Sequence, residues 1–553
     1  MLDVSATLAG FRQLAPEQLR KTLESFLPKD AAPEEKVNAI ESGLNSPMGQ
    51  ALREAMARWI VEEIVPVEAL VPEPYLTWRS PVHDSMAFVV THLSASRLAP
   101  KLLEQIELPS NTPPEMRLLR LITKVPGLQK LGQVIARNQH LRPALRKALI
   151  RLENGIRDVT PADVRRIVEK ELGSRMQRFS VQVSSAILKE ASVSAVIRFS
   201  WRNPQSRKRE RGVFKVLKPH IPEYFAEDMN YLQGLANYFG DRRHTYGFAP
   251  HLIPDTFRKV RRLLRHEVNF TREQKTLVEA AALYQCFPKV RVPQLIPALC
   301  THHITALTEE KGTKITSAVA RLSVRRKRQV AEQMLEALLA VPLFSAAPDA
   351  VFHGDPHAGN LLYNGRTGEL VILDWALQER LDREQRRHLA LLFLMVSLRD
   401  PIGVSKEILA LSQESHRPPS TRVRLIREAI GEFFGELAPS NIPSAADAMQ
   451  LMEKVALKGI KFPVSMIMLS KVVLTLDGIM GDIVGADTSL GFAIARQVVR
   501  HWLADRSAYR SPISARDWLT LQCSALLLPS RLGIQMEQAA LNRLLRRREA
   551  ALS

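Results

Sequence analysis

The spacing of apolar positions changes character several times along the chain. Residues 1 to about 110 follow a helical period, interrupted by Pro-rich breaks such as PKDAAPEEK and VPEPYLTW. The period is strongest from LQKLGQ through VEKELGS, residues 128–174. Inside that stretch Thr160 is placed as an N-cap, Pro161 at the first helical position and Gly173 as the stop, which predicts a helix between them. After about residue 180 the texture becomes strand-like: SVQVSSAILKEASVSAVIRFSW and RGVFKVLKP are rich in Val, Ser and Phe and flank a basic turn, RNPQSRKRER. Helical pattern returns over 222–285, followed by short strand-like segments at KVRVPQLI and HHITALT. Two apolar runs, LLY and ELVIL, then flank NGRTG, a hairpin signal, and the remainder reads as helical to the end. The expected fold class is α+β: a small β-rich lobe followed by a large helical lobe, with a helical extension in front. The corresponding divisions are 1–110, 111–180, 181–310 and 311–553.

Composition narrows the function classes. At 553 residues, 46% of them hydrophobic, there is ample material for more than one globular core. The three cysteines are far apart with no CxxC spacing, which argues against a disulfide framework and against a cysteine zinc site. The 77 basic against 57 acidic residues leave a net charge of +20, which favours an anionic partner such as nucleotide phosphates or anionic lipid. Basic runs at RNPQSRKRER, RKVRRLLR, VRRKRQ and NRLLRRRE are candidate lipid-facing segments. Neither zinc-finger spacing nor an aromatic RNP-like strand is present, so no nucleic-acid partner is expected. The N-terminal stretch has neither a basic n-region nor an apolar h-region, so no signal peptide is expected. FPVSMIMLSKVVLTLDGIMGDIVG, broken by Lys471 and Asp477, and the shorter WLTLQCSALLLPS both fall short of the roughly 18 to 20 consecutive apolar residues a membrane span needs, so no transmembrane helix is expected. The expected location is cytoplasmic, peripheral on the inner face of a membrane.

Candidate chemistry concentrates in VFHGDPHAGNLLYNGRTGELVILDWA, residues 351–376. A hairpin brings its ends together, so Asn360 before it and Asp374 after it should lie side by side, with oxygen donors suited to Mg²⁺ beside a polyphosphate. Asp355 stands five residues before Asn360, as the base does in the kinase pattern H-R-D-x-x-x-x-N, and LDW replaces D-F-G. A kinase also needs a strand lysine paired with a helix glutamate. Lys215 in GVFKVLKP fits the first role, and RHEVNFTREQK offers Glu267 and Glu273 for the second.

These residues resemble the ABC1/ADCK/UbiB family of atypical, protein-kinase-like ATPases. KLGQ at 130–133 is similar to the family's KxGQ, FKVLKP to its V-A-V-K-V-L-R-P strand, HEVNFTRE to its E-L-D-Y-x-R-E-A, and HGDPHAGN with LDWA to its H-x-D-P-H-P-G-N and L-D-F-G. The resemblance runs from about 115 to 500. It implies a protein-kinase-like bilobal fold that binds ATP or ADP with Mg²⁺. Lys215 would be the nucleotide lysine with Glu273 its partner, Asp355 the catalytic-loop Asp, and Asn360 and Asp374 the metal ligands. Ala191 and Ser192 would belong to the nucleotide loop, and Lys130 and Gln133 would reach over the active site. It further implies action on small or lipid-associated molecules in quinone or isoprenoid lipid metabolism, at a membrane and with protein partners of a lipid-biosynthesis complex.

Five positions, in four segments, depart from the family pattern. Lys189-Glu190-Ala191-Ser192 stands for A-A-A-S, Asn269 for the second acid of E-x-D, Thr308 for the hinge Glu, and Ala376 for the Gly after the metal Asp. Two alternatives remain open at this point. A small-molecule phosphotransferase of the aminoglycoside/choline kinase type shares H-G-D-x-x-x-x-N and I-D-W. A pseudokinase or lipid-handling scaffold would bind nucleotide without turnover.

Overall fold

Alternation in residues 182–217 becomes an antiparallel meander of β1 (Gln182–Glu190), β2 (Ser194–Arg202) and β3 (Arg209–Leu217), with β5 (Ile304–Thr308) added beside β3. The computed structural model describes residues 31–47, 49–71, 73, 76, 79–109, 111–130, 159–247, 252–413, 419–438, 441–484 and 512–537. The chain divides into two compact units: one runs to Phe270 and takes in Ile296–Leu307, the other holds Thr271–Leu295 and everything from Thr308 onward.

In the first unit the period of two decides which side chains enter the core. Ala195, Ile197, Phe199 and Trp201 on β2 are buried, while Arg198 and Arg202 point to solvent. The helix Pro161–Leu172 lays Val164, Val168 and Leu172, one face at four-residue spacing, into that same core. Its ends are as the sequence predicts: Thr160 and Asp163 form a capping box, and Gly173 ends it at a φ of 50°. Gly212 on β3 is required by proximity, because a Cβ there would lie 2.5 Å from the Phe199 ring and 2.7 Å from the Leu307 carbonyl. The segment 180–201, read as one strand-like run, is a hairpin of β1 and β2 turning at Ala191–Val193, where the Ala191 N–H donates to the Ser194 carbonyl at 2.8 Å. The basic turn 203–208 joins β2 to β3 as expected, with Arg202 opposite Arg209.

The N-terminal helices Pro33–Leu44, Gly49–Trp59, Arg79–His92, Ala95–Glu107 and Pro114–Ile122 contribute to a second core. They share it with Leu232, Leu235 and Phe239 of helix Ile221–Asp241 and with Val260 and Leu264 of helix Leu252–Val268. A buried charge cluster ties the two sets together. Arg97 pairs with Asp228 at 2.7 Å and with Glu227 at 3.1 Å, and the second Asp228 oxygen accepts from the Gly127 N–H at 2.8 Å.

In the second unit β8 (Leu361–Asn364) and β9 (Glu369–Ile372) form the predicted hairpin, with Leu361 opposite Ile372 and Asn364 opposite Glu369. Two-residue strands β4 (Val290–Arg291) and β6 (Thr313–Lys314) complete the sheet in the order β4-β9-β8-β6. The strand-like segments near 290 and 304 therefore join different sheets. The expectation that everything after the hairpin is helical needs one correction: β10 (Gln378–Leu381) pairs antiparallel with β7 (Ala350–His353). Strands of four residues are too short for alternation to mark them.

The helices that follow are well capped. Asp382 and Ser444 each make a capping box, and Asp517 completes a third while pairing bidentately with Arg387 at 2.7 and 2.8 Å. Helix Val464–Val484 runs unbroken through Lys471 and Asp477. Among the described residues it is the one helix long and apolar enough to cross a membrane, with a mean hydropathy of 1.6. Half of its apolar stretch is buried within the protein, and Val472, Val473 and Leu476 are fully enclosed.

Candidate active site

The stretch 351–376 leaves β7, passes through a tight loop and enters the hairpin, and main-chain hydrogen bonds fix each polar residue on the way. His353 is buried at the end of β7, its ring edge-on to Trp375 at 4.9 Å. Its Nε2 bonds the Leu373 carbonyl at 2.9 Å and its Nδ1 accepts from the Asp355 N–H at 3.2 Å. Those partners require the neutral tautomer with the proton on Nε2. Burial pushes the imidazole pKa down, opposed by its bond to the Leu373 carbonyl and by the nearby Asp355 and Asp374 carboxylates. One buried ring thus spans the residue that begins the loop and the residue before Asp374.

Asn360 is buried and points its amide nitrogen at the Asp355 carbonyl, 3.2 Å away. With the nitrogen so committed, Oδ1 is left on the other branch of the amide. The Leu373 N–H donates to the Asn360 carbonyl at 2.8 Å, so the two ends of the hairpin meet as the sequence predicts. Asp374 follows with a φ of 56°, in the left-handed region that Asp tolerates better than most residues, and its side chain is exposed. Hard oxygen donors from two residues suit a Mg²⁺ that completes its shell with phosphate and water. Among the described residues no group of three or more His, Cys, Asp or Glu side chains is arranged to hold a metal ion.

Asp355 has a partner that the sequence reading missed. Its Oδ1 accepts from Lys471 of helix Val464–Val484 at 2.7 Å. One turn earlier on that helix, Met468 lies where a Cβ on Gly354 would come within 3.1 Å of its terminal methyl. Gly354 is thus explained by the close approach of this helix and of the Leu377 carbonyl, also 3.1 Å away. The available signal was a single lysine in a mostly apolar helix, 116 residues from its partner.

In the first unit, Lys215 is buried on β3 with its ammonium 5.6 Å from the centre of the Phe270 ring. Ser192, in the β1–β2 turn, is also buried, and its hydroxyl donates to Glu267 at 3.2 Å. The other Glu267 oxygen is paired with Lys130. Ser192, Lys130 and Glu267 thus come together from three segments, while Ala191 sits beside them in the turn. Helical residues 126–130, which carry Lys130, begin where Asp228 receives the Gly127 N–H. Gln133 lies outside the described residues.

Glu190, which stands where the resembling family has alanine, faces inward. It pairs with Lys218 at 3.3 Å, and both side chains are at most 5% exposed. In the second unit, Glu273 is buried in the first turn of helix Phe270–Leu283. Asn269 ends the segment between two helices, its N–H bonded to the His266 carbonyl at 3.3 Å.

Comparison with known proteins gives this arrangement a context. Residues 151–408 match the ABC1 atypical kinase-like domain. The chain is 24% identical over 285 residues to "Probable protein kinase UbiB" of Sodalis glossinidius, covering 49% of each protein. It is 24% identical over 268 residues to "Atypical kinase COQ8, mitochondrial" of Saccharomyces cerevisiae, covering 47% of this chain and 49% of that one. The chain thus spans about half the length of the curated relatives it matches. A solved structure, "The complex structure of Rv3197-erythromycin from Mycobacterium tuberculosis", aligns with a TM-score of 0.41 at 15% identity over 66% of this chain and 92% of that one.

Proposed function

From a chain that carries an ABC1 atypical kinase-like domain over residues 151–408, we infer a Mg²⁺-dependent nucleotide-binding protein that hydrolyses ATP or phosphorylates a small or lipid-related substrate. Its setting is quinone or isoprenoid lipid metabolism at a membrane surface. The observation that carries the reading is the junction of Asp355, Asn360 and Asp374, held together by the Asn360 amide on the Asp355 carbonyl and the Leu373 N–H on the Asn360 carbonyl.

In this reading Asn360 and Asp374 would hold Mg²⁺, which would supply positive charge beside the nucleotide phosphates. Asp355 orients the attacking oxygen and takes its proton. Lys215 neutralises the remaining phosphate charge, with Glu273 as its partner. Glu267, the other acid the sequence offers, is already engaged with Lys130 and Ser192, which favours Glu273 for that role. Ala191, Ser192, Lys130 and Gln133 border the nucleotide.

Thermal unfolding of the full chain with ATP or ADP, with and without Mg²⁺, tests the reading. Ligand at about 100 times its dissociation constant should stabilise the protein by about 2.7 kcal/mol. Lys215→Met should remove most of that shift. No shift with any nucleotide would refute the reading.

A further inference from the structure

The loop that carries Asp355 brings no cation of its own. His353-Gly354-Asp355-Pro356-His357-Ala358-Gly359-Asn360 contains neither Lys nor Arg, and its two imidazoles accept main-chain N–H groups from Asp355 and Gly359. Phosphoryl transfer nevertheless gathers negative charge on the oxygens of the group in flight, beside the residue that orients the nucleophile. Lys471 is the cation found at that place. It is the only basic residue of helix Val464–Val484 and lies 2.7 Å from the Asp355 carboxylate and 3.5 Å from the Gly354 carbonyl.

Its placement is held from both sides. Met468 packs against Gly354 one turn before it, and Ser470 donates to Glu453 of helix Ala445–Leu457 at 2.9 Å. The pair is not sealed: the Lys471 and Asp355 side chains are 21% and 18% exposed, so a ligand can reach both. A lysine carried only to satisfy a buried carboxylate would not need that opening.

We propose that Lys471 is a phosphate-facing residue of this site, fixing the Asp355 carboxylate and presenting its ammonium to the terminal phosphate of bound nucleotide. The proposal rests on the nucleotide reading above. In the step it serves, water or a substrate hydroxyl forms the new O–P bond as the bond from the γ-phosphorus to the β-phosphate oxygen breaks. The electron pair leaves with ADP, and the nucleophile's proton goes to Asp355. The helix that is long and apolar enough to cross a membrane thereby becomes a wall of the site.

The test compares the unaltered full chain with Lys471→Met and Lys471→Arg. Dissociation constants are measured for ADP and for a non-hydrolysable ATP analogue, both with Mg²⁺, alongside ATP turnover. Lys471→Met should weaken the ATP analogue about tenfold while ADP stays within about twofold, and should lower kcat by about 10². Lys471→Arg should restore most of the discrimination between the two ligands. Should Lys471→Met not fold, Lys471→Gln replaces it in the same comparison. Equal affinities and equal turnover in the neutral variant would overturn the proposal and leave Lys471 a structural residue. An unaltered protein that binds neither nucleotide would overturn the nucleotide reading itself, and this inference with it.

Discussion

The two regions that carry the candidate chemistry are built in opposite ways. In the second unit Asp355, Asn360 and Asp374 come from twenty consecutive residues, and main-chain groups hold the loop around them. In the first unit Lys130, Glu190, Ser192, Lys218 and Glu267 come from four separated segments and hold one another through side-chain charges that are mostly buried. The first arrangement lets a functional side chain change without disturbing the fold. The second makes each charge a structural partner of another, so a substitution there alters stability before it alters chemistry.

Stability measurements on single variants test that contrast. The largest effect belongs to the Glu190–Lys218 pair. Removing one partner, as in Lys218→Met, leaves a carboxylate buried without its cation and should cost about 3–5 kcal/mol in urea unfolding. The double variant Glu190→Leu/Lys218→Met should recover most of the loss. If the single variant costs less than about 1 kcal/mol, the contrast fails at its strongest point.

His353 comes next. Its two hydrogen bonds belong to the neutral ring, so His353→Ala should cost about 1–3 kcal/mol. The same group predicts a pH dependence. Because its pKa is lowered in the folded protein, the unfolded chain takes up the proton first as pH falls. The stability His353 contributes is therefore present above pH about 6.5 and is lost as pH drops from there through the lowered folded value. His353→Asn should flatten that part of the profile. A smaller effect is expected at the first-unit helix cap, where Thr160→Ala should cost about 1 kcal/mol.

What the sequence made legible follows the same division. The closing of the hairpin, where Leu373 bonds Asn360, could be read because a short turn between two apolar runs dictates which residues meet. Thr160 and Gly173 could be read because caps are local. The Asp355–Lys471 and Lys130–Glu267 pairs span 116 and 137 residues, and no local period connects their members. Glu190 invited a reading as an altered phosphate loop, because nothing in KEAS shows that its carboxylate turns toward Lys218. β7 and β10 were too short to announce themselves.

Asp374 is the most direct residue to test, since it is exposed, lies in the left-handed region and is replaced by Asn with little change of shape. The direct measurement is calorimetric titration of ADP with Mg²⁺ into the unaltered protein and into Asp374→Asn, with urea unfolding of both as the control. The expected result is unfolding free energies within about 0.5 kcal/mol of each other, together with Mg²⁺-dependent nucleotide binding that disappears in the variant. Nucleotide binding that is equal in the two proteins, or that is indifferent to Mg²⁺, would contradict it.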